Sequence, residues 1–298
     1  MPKLFHAYSL SRNYMKNLLK KWFFVMPQFI IPHHLLSRLI LKLTRLQMGM
    51  VTHWIIKRFI KFYNVDMSIV QSPQAHDYKS FNQFFTRALK PTARPLAQTD
   101  IICPVDAKIS QIGKIEQGTL LQAKEHSFQL VDLLGGDTKM ATQFNQGLFC
   151  TLYLSPKDYH RIHMPITGRL TDMIYVPGRL FSVNQTTTQA VSNLFARNER
   201  VICLFETDLG AMALVLVGAL FVGCMETVWA GTVTPNSLAT VEHWNYPEQN
   251  VLQCGAEMGR FNMGSTVIVL LEDKHLTWLS GLAAHNNLLM GQGLACKK

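Results

Sequence analysis

The chain has 298 residues, of which 48% are hydrophobic and 16% are charged, a composition that excludes intrinsic disorder and suffices for one large core or two modest ones. Its net charge of +10 comes from one end. Residues 1–65 contain eleven lysines and arginines and no acid, which leaves 29 − 11 = 18 basic against 19 acidic residues in the remainder. The six cysteines form no CxxC pair, which favours buried free thiols over a zinc site or a disulfide framework.

The basic N-terminal region contains three apolar segments. The first, 18–31, is interrupted by Pro27, lacks a signal-peptide cleavage site and is too short to span a bilayer. The next two, 34–50 and 51–63, place apolar residues at helical spacing on one face and basic residues on another. They predict amphipathic helices of the kind that binds an anionic membrane surface. The alternative is that these helices pack on the rest of the protein and that their cationic faces are merely solvated. Binding to nucleic acid would use the charge but would give the bulky apolar faces no role.

The remainder of the chain predicts a β-rich body. A capping box of Ser80 and Gln83 begins a helix that Pro91 ends, and residues 91–95 form a linker. We predict an α+β fold, with a mainly antiparallel β-sheet catalytic domain (76–298) and an N-terminal amphipathic helical membrane-binding module (1–75). The strands are predicted from short β-branched runs between Gly, Pro and Asn, at 101–105, 109–115, 148–154, 173–176, 201–206 and 267–271.

The uncharged segment 209–225 has two interpretations. Its 17 residues approach the length of a transmembrane helix. However, Gly210 and Gly218 interrupt it, and a further strand-like run follows at 226–233. We therefore predict two buried strands joined near Gly218.

Three stretches contain residues suited to chemistry. Ser265 follows Gly264 at the start of an apolar run, so a hydroxyl lies at a rigid strand end, next to a carbonyl that no side chain shields. His160 and His163 are three residues apart, and Asp106 interrupts an apolar run at a turn. An acid, an imidazole and a hydroxyl can form a proton relay. Each of these residues, taken alone, is equally well explained as a turn or structural residue. The sequence pattern does not show that the three side chains meet in space.

Seven separated stretches resemble the phosphatidylserine decarboxylase family in its shorter bacterial form. They follow the family's order and cover nearly the whole chain, although residues 1–75 and the tail after Leu271 follow it less closely. Met263 stands where the family's LGST cleavage motif has leucine, and we expect little effect because this side chain is an apolar neighbour and not a reactant. The stretches are FNQFFTRALKPTARP, CPVDAKISQIGKI, LYLSPKDYHRIHMP, YVPGRLFSVN, NLFARNERVICLF, ETVWAGTVTP and GRFNMGSTV.

The resemblance implies a self-cleaving precursor. Asp106, His163 and Ser265 would form the self-cleavage triad, in which Ser265 attacks the Gly264 carbonyl. Elimination of the resulting ester would release the upstream chain and leave dehydroalanine, whose hydrolysis with loss of ammonia would give a pyruvoyl group at position 265. The products would be a β chain, residues 1 to 264, and an α chain of 298 − 264 = 34 residues.

The resemblance also implies the reaction of the mature enzyme. The pyruvoyl cofactor made from Ser265 would form a Schiff base with the amine of phosphatidylserine and accept the electrons left when carbon dioxide departs. Phosphatidylethanolamine would be the product, with His160 as the candidate proton donor to Cα. Ser182, Asn184 and Arg197 are weaker candidates for head-group contacts. The resemblance implies no metal.

These expectations imply partners and a location. The partners are phosphatidylserine, an anionic membrane surface and the two chains of one precursor, with a homodimer left open and no nucleic acid. We predict a peripheral protein on the cytoplasmic face of a bacterial inner membrane. One alternative is a lipid hydrolase, with His160, His163 and Asp158 as metal ligands or Ser265 as a lasting nucleophile. Another is a non-catalytic membrane-surface adaptor.

Overall fold

The fold is taken from a computed structural model, which describes residues 22–123, 126–221, 224–234, 240–247, 250–272 and 275–298. Part of the first predicted apolar segment, residues 18–21, lies outside these ranges. Within them, no single helix has the length and hydropathy of a transmembrane span, although Trp22–Ile30 and His33–Arg45, bent by 94°, meet that test as a pair.

Long helices are found in the N-terminal region, and the later ones are short. The described helices are α1 Pro27–Ile30, α2 His33–Arg45, α3 Met50–Tyr63, α4 Phe81–Phe85, α5 Leu130–Leu133, α6 Thr138–Gln143, α7 Gln185–Thr188 and α8 Leu194–Arg197, with a 3-10 turn at Ala75–Asp77. Helices α2 and α3 confirm the two predicted amphipathic helices. Gly49, with a φ of 55°, separates them, and Asn64 in the left-handed conformation ends α3.

Helix α4 begins where predicted but ends earlier. Ser80 Oγ accepts a hydrogen bond from Gln83 N at 3.2 Å, which is the predicted cap. The helix ends at Phe85, well before the proline predicted to end it, so that boundary was wrong. The chain leaves the helix because the backbone of residues 88–90 hydrogen-bonds to that of residues 69–71.

Strands form the body, and the pairings between them are antiparallel, which confirms the predicted α+β class. Each of the six predicted runs overlaps an observed strand. The described strands are β1 Ile101–Ile102, β2 Ala107–Lys114, β3 Thr119–Ala123, β4 His126–Gln129, β5 Leu148–Tyr153, β6 Arg161–His163, β7 Gly168–Val176, β8 Arg200–Thr207, β9 Gly210–Val217, β10 Met225–Thr227, β11 Gly231–Thr232, β12 Glu242–Asn245, β13 Val251–Leu252, β14 Glu257–Phe261, β15 Thr266–Leu271, β16 Leu276–Trp278, β17 Asn287–Leu288 and β18 Gly293–Lys297.

Strand β15 lies inside the main sheet, whose order is β12-β7-β8-β9-β15-β5-β2-β17. It pairs along its whole length with β5 on one side and β9 on the other. Val267, Val269 and Leu271 belong to the larger hydrophobic core, whereas Ile268 and Leu270 belong to a second core on the opposite face. Because both faces of β15 are buried, its sequence is uniformly apolar and does not alternate with polar residues.

The chain crosses from one sheet to another just before β15. Strand β14 belongs to a smaller sheet of order β11-β10-β14-β6, and residues 262–265 lead from it directly into β15. Strand β6, which contains His163, pairs with β14, and Glu257 is opposite His163. The two sheets therefore bring Ser265 and the histidine-containing stretch to the same part of the molecule.

The segment 209–225 forms one buried strand, as predicted, but the second strand predicted directly after Gly218 is not found in its described residues. Strand β9 ends at Val217 and β10 begins at Met225. The pairing of β9 with β8 and β15 satisfies its backbone hydrogen bonds inside the main sheet.

Helix α3 has one packed face and one exposed apolar face. Ile56 is fully buried in a small core with Val65, Val70, Ala75, Tyr78 and Phe84. In contrast, Met50, Trp54 and Phe62 are exposed. The helix is thus attached to the body, and its uncovered side carries large apolar side chains together with Lys57, Arg58 and Lys61.

Close packing at the end of β15 leads to a stability prediction. A methyl group at Gly147 would lie 1.9 Å from the Leu271 carbonyl oxygen, which cannot move without disrupting the sheet. We expect Gly147→Ala to lower the free energy of unfolding by about 3 kcal/mol or more in urea denaturation. The matched control is Gly113→Ala, whose methyl group would meet the Phe149 ring at an ordinary 3.4 Å. Equal stability of the two variants would contradict the described packing.

Candidate active site

Ser265 is held rigidly at the start of β15. Its carbonyl oxygen accepts a hydrogen bond from Leu154 N at 2.9 Å, so its backbone is fixed against the end of β5. The residue is fully buried, and its Oγ has no hydrogen-bond partner among the residues that the structure describes. A buried hydroxyl without a partner is costly, by about 1–3 kcal/mol, and such groups are uncommon outside functional sites.

His160 lies beside the peptide that precedes Ser265. A Cβ atom at Gly264 would be 3.1 Å from His160 Nε2, so glycine leaves room for the imidazole. His160 Nδ1 is 2.8 Å from the Asp158 carbonyl oxygen. Because a carbonyl can only accept, Nδ1 carries the proton and Nε2 is bare, and Nε2 has no partner.

The environment of His160 keeps its imidazole neutral. The ring is completely buried and packs against Phe85, with ring centroids 4.2 Å apart. Burial, together with the positive charge of Arg87, lowers the pKa of His160 to about 3, although the Asp158 carbonyl opposes this shift. The imidazole of His160 is therefore neutral, and its Nε2 can accept a hydrogen bond.

Both ring nitrogens of His163 are already engaged. Nδ1 donates to the Gly255 carbonyl oxygen at 2.7 Å, and Nε2 is 3.0 Å from the Tyr159 hydroxyl, which donates to it. Burial lowers the pKa of His163. The Gly255 carbonyl and the charges of Glu257 and Asp106 raise this pKa but do not outweigh the effect of burial. In this arrangement His163 has no free lone pair for a serine proton.

Asp106 is bound by a cation and a backbone amide. Arg94 Nε donates to Oδ1 at 2.9 Å and Arg94 Nη2 donates to Oδ2, a two-pronged ion pair that is mostly buried. Met290 N also donates to Oδ1, at 2.8 Å. The backbone of His163 is close by, since its N–H donates to the Pro104 carbonyl at 2.9 Å. The structure therefore brings the three predicted triad residues into one region but shows no hydrogen bond from Asp106 to His163 or from His163 to Ser265.

A cavity of about 240 Å³ adjoins Gly264 and is lined by residues of both the N-terminal helical region and the β-rich body. Phe59 and Tyr63 of α3 contribute to it, and so does Ser182. The other two predicted head-group residues are not among its described lining residues. Asn184 caps α7 by accepting from Thr187 N, and the Arg197 guanidinium lies over the rings of Phe29 and Phe181.

Three residues near the site were missed by the sequence reasoning. Arg94 lies in the segment interpreted as a linker, where nothing marks it as the partner of Asp106. Arg87 lies two residues after the end of α4, and its side chain is almost completely buried, which no periodicity predicts. Tyr159 directly precedes His160, so its phenol lay within the histidine-containing stretch and could have been proposed as a site residue.

Comparison with known proteins identifies the family. The family model for phosphatidylserine decarboxylase matches residues 81–296, and a second model, described as PSD, matches residues 23–64. The chain belongs to the phosphatidylserine decarboxylase family. This confirms the resemblance, and the matched ranges include every candidate site residue as well as helices α2 and α3.

Relatives in the phosphatidylserine decarboxylase family match the chain over almost its full length. The phosphatidylserine decarboxylase proenzyme of Ectopseudomonas mendocina is 51% identical over 280 residues, which is 92% of this chain and 98% of that protein. The proenzyme of Dechloromonas aromatica is 51% identical over 269 residues, 90% of this chain and 95% of that protein. The Bordetella pertussis proenzyme is 52% identical over 283 residues, 93% of this chain and 95% of that protein.

A metal centre was one alternative for the histidine stretch. In the parts of the chain that the structure describes, no three His, Cys, Asp or Glu side chains converge as a metal site. The Asp158 carboxylate accepts instead from Ser155 N at 2.7 Å, and its backbone carbonyl accepts from His160.

The buried Arg94–Asp106 pair leads to a double-mutant test. Removing one partner leaves an unpaired buried charge, so we expect Arg94→Met to cost about 3 kcal/mol of unfolding free energy. Adding Asp106→Leu should restore part of that loss, although it leaves Met290 N without its acceptor. Urea denaturation of the two single variants and the double variant measures the coupling. Additive effects would show that the ion pair does not form.

Proposed function

We propose that the chain is a proenzyme that cleaves its own backbone between Gly264 and Ser265 and then decarboxylates phosphatidylserine to phosphatidylethanolamine and carbon dioxide in phospholipid biosynthesis. One observation carries the proposal: a fully buried, unpartnered Ser265 hydroxyl lies at a rigid strand end, next to an unsubstituted glycine and a bare imidazole nitrogen. Membership of the family, whose relatives are named proenzymes, supports it. The proposed division is a module at 1–75 and a catalytic domain at 76–298, cut into chains 1–264 and 265–298.

Self-cleavage requires a base for the Ser265 proton. We propose the triad Asp106, His163 and Ser265, on the strength of the family resemblance. In the described geometry, this role requires His163 Nε2 to exchange the Tyr159 hydroxyl for that of Ser265. His160 is the rival base, because its bare Nε2 already lies beside Gly264.

The cofactor proposed for this chain is a pyruvoyl group derived from Ser265, and the site fits it. The group would need no separate binding site, since the hydrogen bond from Leu154 N already fixes the backbone of residue 265. Its ketone would supply an electron sink for the bond pair released when a bound amino acid loses carbon dioxide. The buried position keeps water away from the carbon atom that becomes negatively charged.

His160 is suited to manage the proton of the substrate. Phosphatidylserine carries an ammonium group, whose nitrogen must lose a proton before it can act as a nucleophile. The bare Nε2 of His160 can accept that proton once the anionic head group of the substrate lies beside the ring and raises its pKa, and the imidazolium can return the proton to Cα after carbon dioxide leaves. One residue would thus serve as acceptor first and as the predicted donor later.

The substrate is proposed to enter from a membrane surface. Because Phe59 and Tyr63 of α3 line the cavity beside Gly264, the same helix borders the site and carries the exposed Trp54 and Phe62. Large apolar side chains are also exposed on the neighbouring segment and α2, namely Trp22, Phe23, Ile30, Leu35, Leu39 and Leu43. Together with the basic charge of this region, they support peripheral binding to an anionic bilayer, which we propose to be the cytoplasmic face of a bacterial inner membrane.

The mass of the denatured protein tests self-cleavage. We expect a fragment of 298 − 264 = 34 residues, lighter by one ammonia than the same peptide with an N-terminal serine. Ser265→Ala should give one intact chain without phosphatidylserine decarboxylase activity. An intact wild-type chain in folded protein would refute the proposal, and labelling of that chain by a fluorophosphonate would favour a hydrolase.

The same measurement separates the two candidate bases. If the triad operates, His163→Gln should remain uncut, whereas His160→Gln should be cut but inactive toward phosphatidylserine. The reverse cleavage pattern would assign the serine proton to His160.

Membrane binding is tested by vesicle sedimentation. Replacing Met50, Trp54 and Phe62 with serine should weaken binding to phosphatidylglycerol-containing vesicles at least about tenfold, since each buried large apolar side chain contributes about 1.5–3 kcal/mol. The matched control replaces exposed apolar residues of the body, Leu121 and Val251, with serine. Equal binding of both variants would contradict the assigned surface.

A further inference from the structure

Arg87 is a buried cation next to the candidate active site. Its side chain is almost inaccessible, with 4% of the residue exposed, and it forms no ion pair with the described residues. Nη2 donates to the Lys157 carbonyl at 2.7 Å and more weakly to the Asp158 carbonyl at 3.4 Å, while Nε and Nη1 have no hydrogen-bond partner in the described parts of the chain. Burying a guanidinium without a carboxylate is costly, so its presence calls for a reason.

Arg87 and His160 converge on one oxygen atom. The Asp158 carbonyl that Arg87 approaches is the same one that accepts from His160 Nδ1 at 2.8 Å. Helix α4 supports both groups, because the Phe84 ring lies 5.3 Å from the guanidinium carbon and the Phe85 ring lies against the imidazole. The cation and the imidazole are thus held side by side by neighbouring residues of one short segment.

This arrangement determines which nitrogen of His160 is bare. The carbonyl accepts a proton from Nδ1, and a fixed positive charge close to the ring disfavours a second proton. Nε2 is consequently left as a lone pair beside position 264. Burial lowers the pKa of Arg87 itself, whereas the titratable groups that face it, Tyr78, Asp106, Asp158 and Tyr159, favour its charged form.

We propose that Arg87 is a positioning residue for the reaction, which acts through the Asp158 carbonyl and through its own charge to hold His160 with a bare Nε2 against the cleavage point. The inference rests on the role proposed above for His160. A purely structural Arg87 would tie down residues 157–158 without affecting the protonation of the imidazole.

Nitrogen-15 NMR of the uncut Ser265→Ala chain tests this inference without enzymatic activity. With labelled histidine, and with the His160 signals identified by their loss in His160→Gln, we expect the Nδ1–H form in the parent and in Arg87→Lys, which keeps the charge. Arg87→Met should populate both tautomers and raise the pKa of His160. An unchanged tautomer and titration in Arg87→Met would overturn the proposal.

The pH dependence of decarboxylation by the mature enzyme provides a second readout. Removing the cation makes Nε2 easier to protonate, so the acid limb of kcat/KM should move to higher pH in Arg87→Met, with a loss of roughly 10- to 100-fold in kcat/KM. Arg87→Lys should have a lower kcat/KM than wild type, but the acid limb of its pH profile should not move. A shift of that acid limb to higher pH in Arg87→Lys would also overturn the proposal. A wild-type protein without decarboxylase activity would refute the proposed function, while the NMR result would still decide the role of Arg87.

Discussion

The pairing of β15 on both sides is the constraint on which the rest of the molecule depends. The strand is hydrogen-bonded to β5 and β9 along its whole length and is buried on both faces. A residue at its start has little freedom to move, because displacing it would disturb two ladders and two cores. Ser265 therefore has a fixed backbone without further support from a loop. Chemistry that requires a hydroxyl at a constant distance from a neighbouring carbonyl benefits from that rigidity.

The region around this strand end holds several buried polar atoms without partners. Ser265 Oγ, Thr266 Oγ1, His160 Nε2 and Arg87 Nε are among them. Each such atom lowers stability by about 1–3 kcal/mol, which a merely structural corner of the fold would avoid. Nearby groups to which no reactive task is assigned are satisfied, as Asn262 shows, whose Oδ1 accepts a hydrogen bond from Asn82 Nδ2 at 3.0 Å. The contrast indicates that the unpaired atoms are retained for their reactivity, at the expense of stability.

The sequence was most informative where one local pattern determines the outcome. The apolar runs predicted the strands, because a strand buried on both faces is a continuous apolar run. The helical spacing in residues 34–63 predicted α2 and α3, because burial of one helix face repeats apolar residues at that spacing. The hydrogen-bond partners inside the site could not be predicted from the sequence. The contact between His163 and Gly255 depends on the pairing of β6 with β14, which no local pattern encodes. The early end of α4 was missed for the same reason, since it depends on a distant backbone segment.

The hydrogen bond from Met290 to Asp106 has a consequence for the folding history of the protein. A cut before Ser265 would place Met290 and Asp106 on different chains, and β15 would be a strand of the short chain inserted between two strands of the chain 1–264, to which it is no longer joined. Such an insertion is assembled while the polypeptide is continuous, when the loop closure is intramolecular. Once unfolded, the two pieces would have to find each other at their bulk concentrations. The mature protein would then owe its persistence to slow unfolding rather than to a reversible equilibrium.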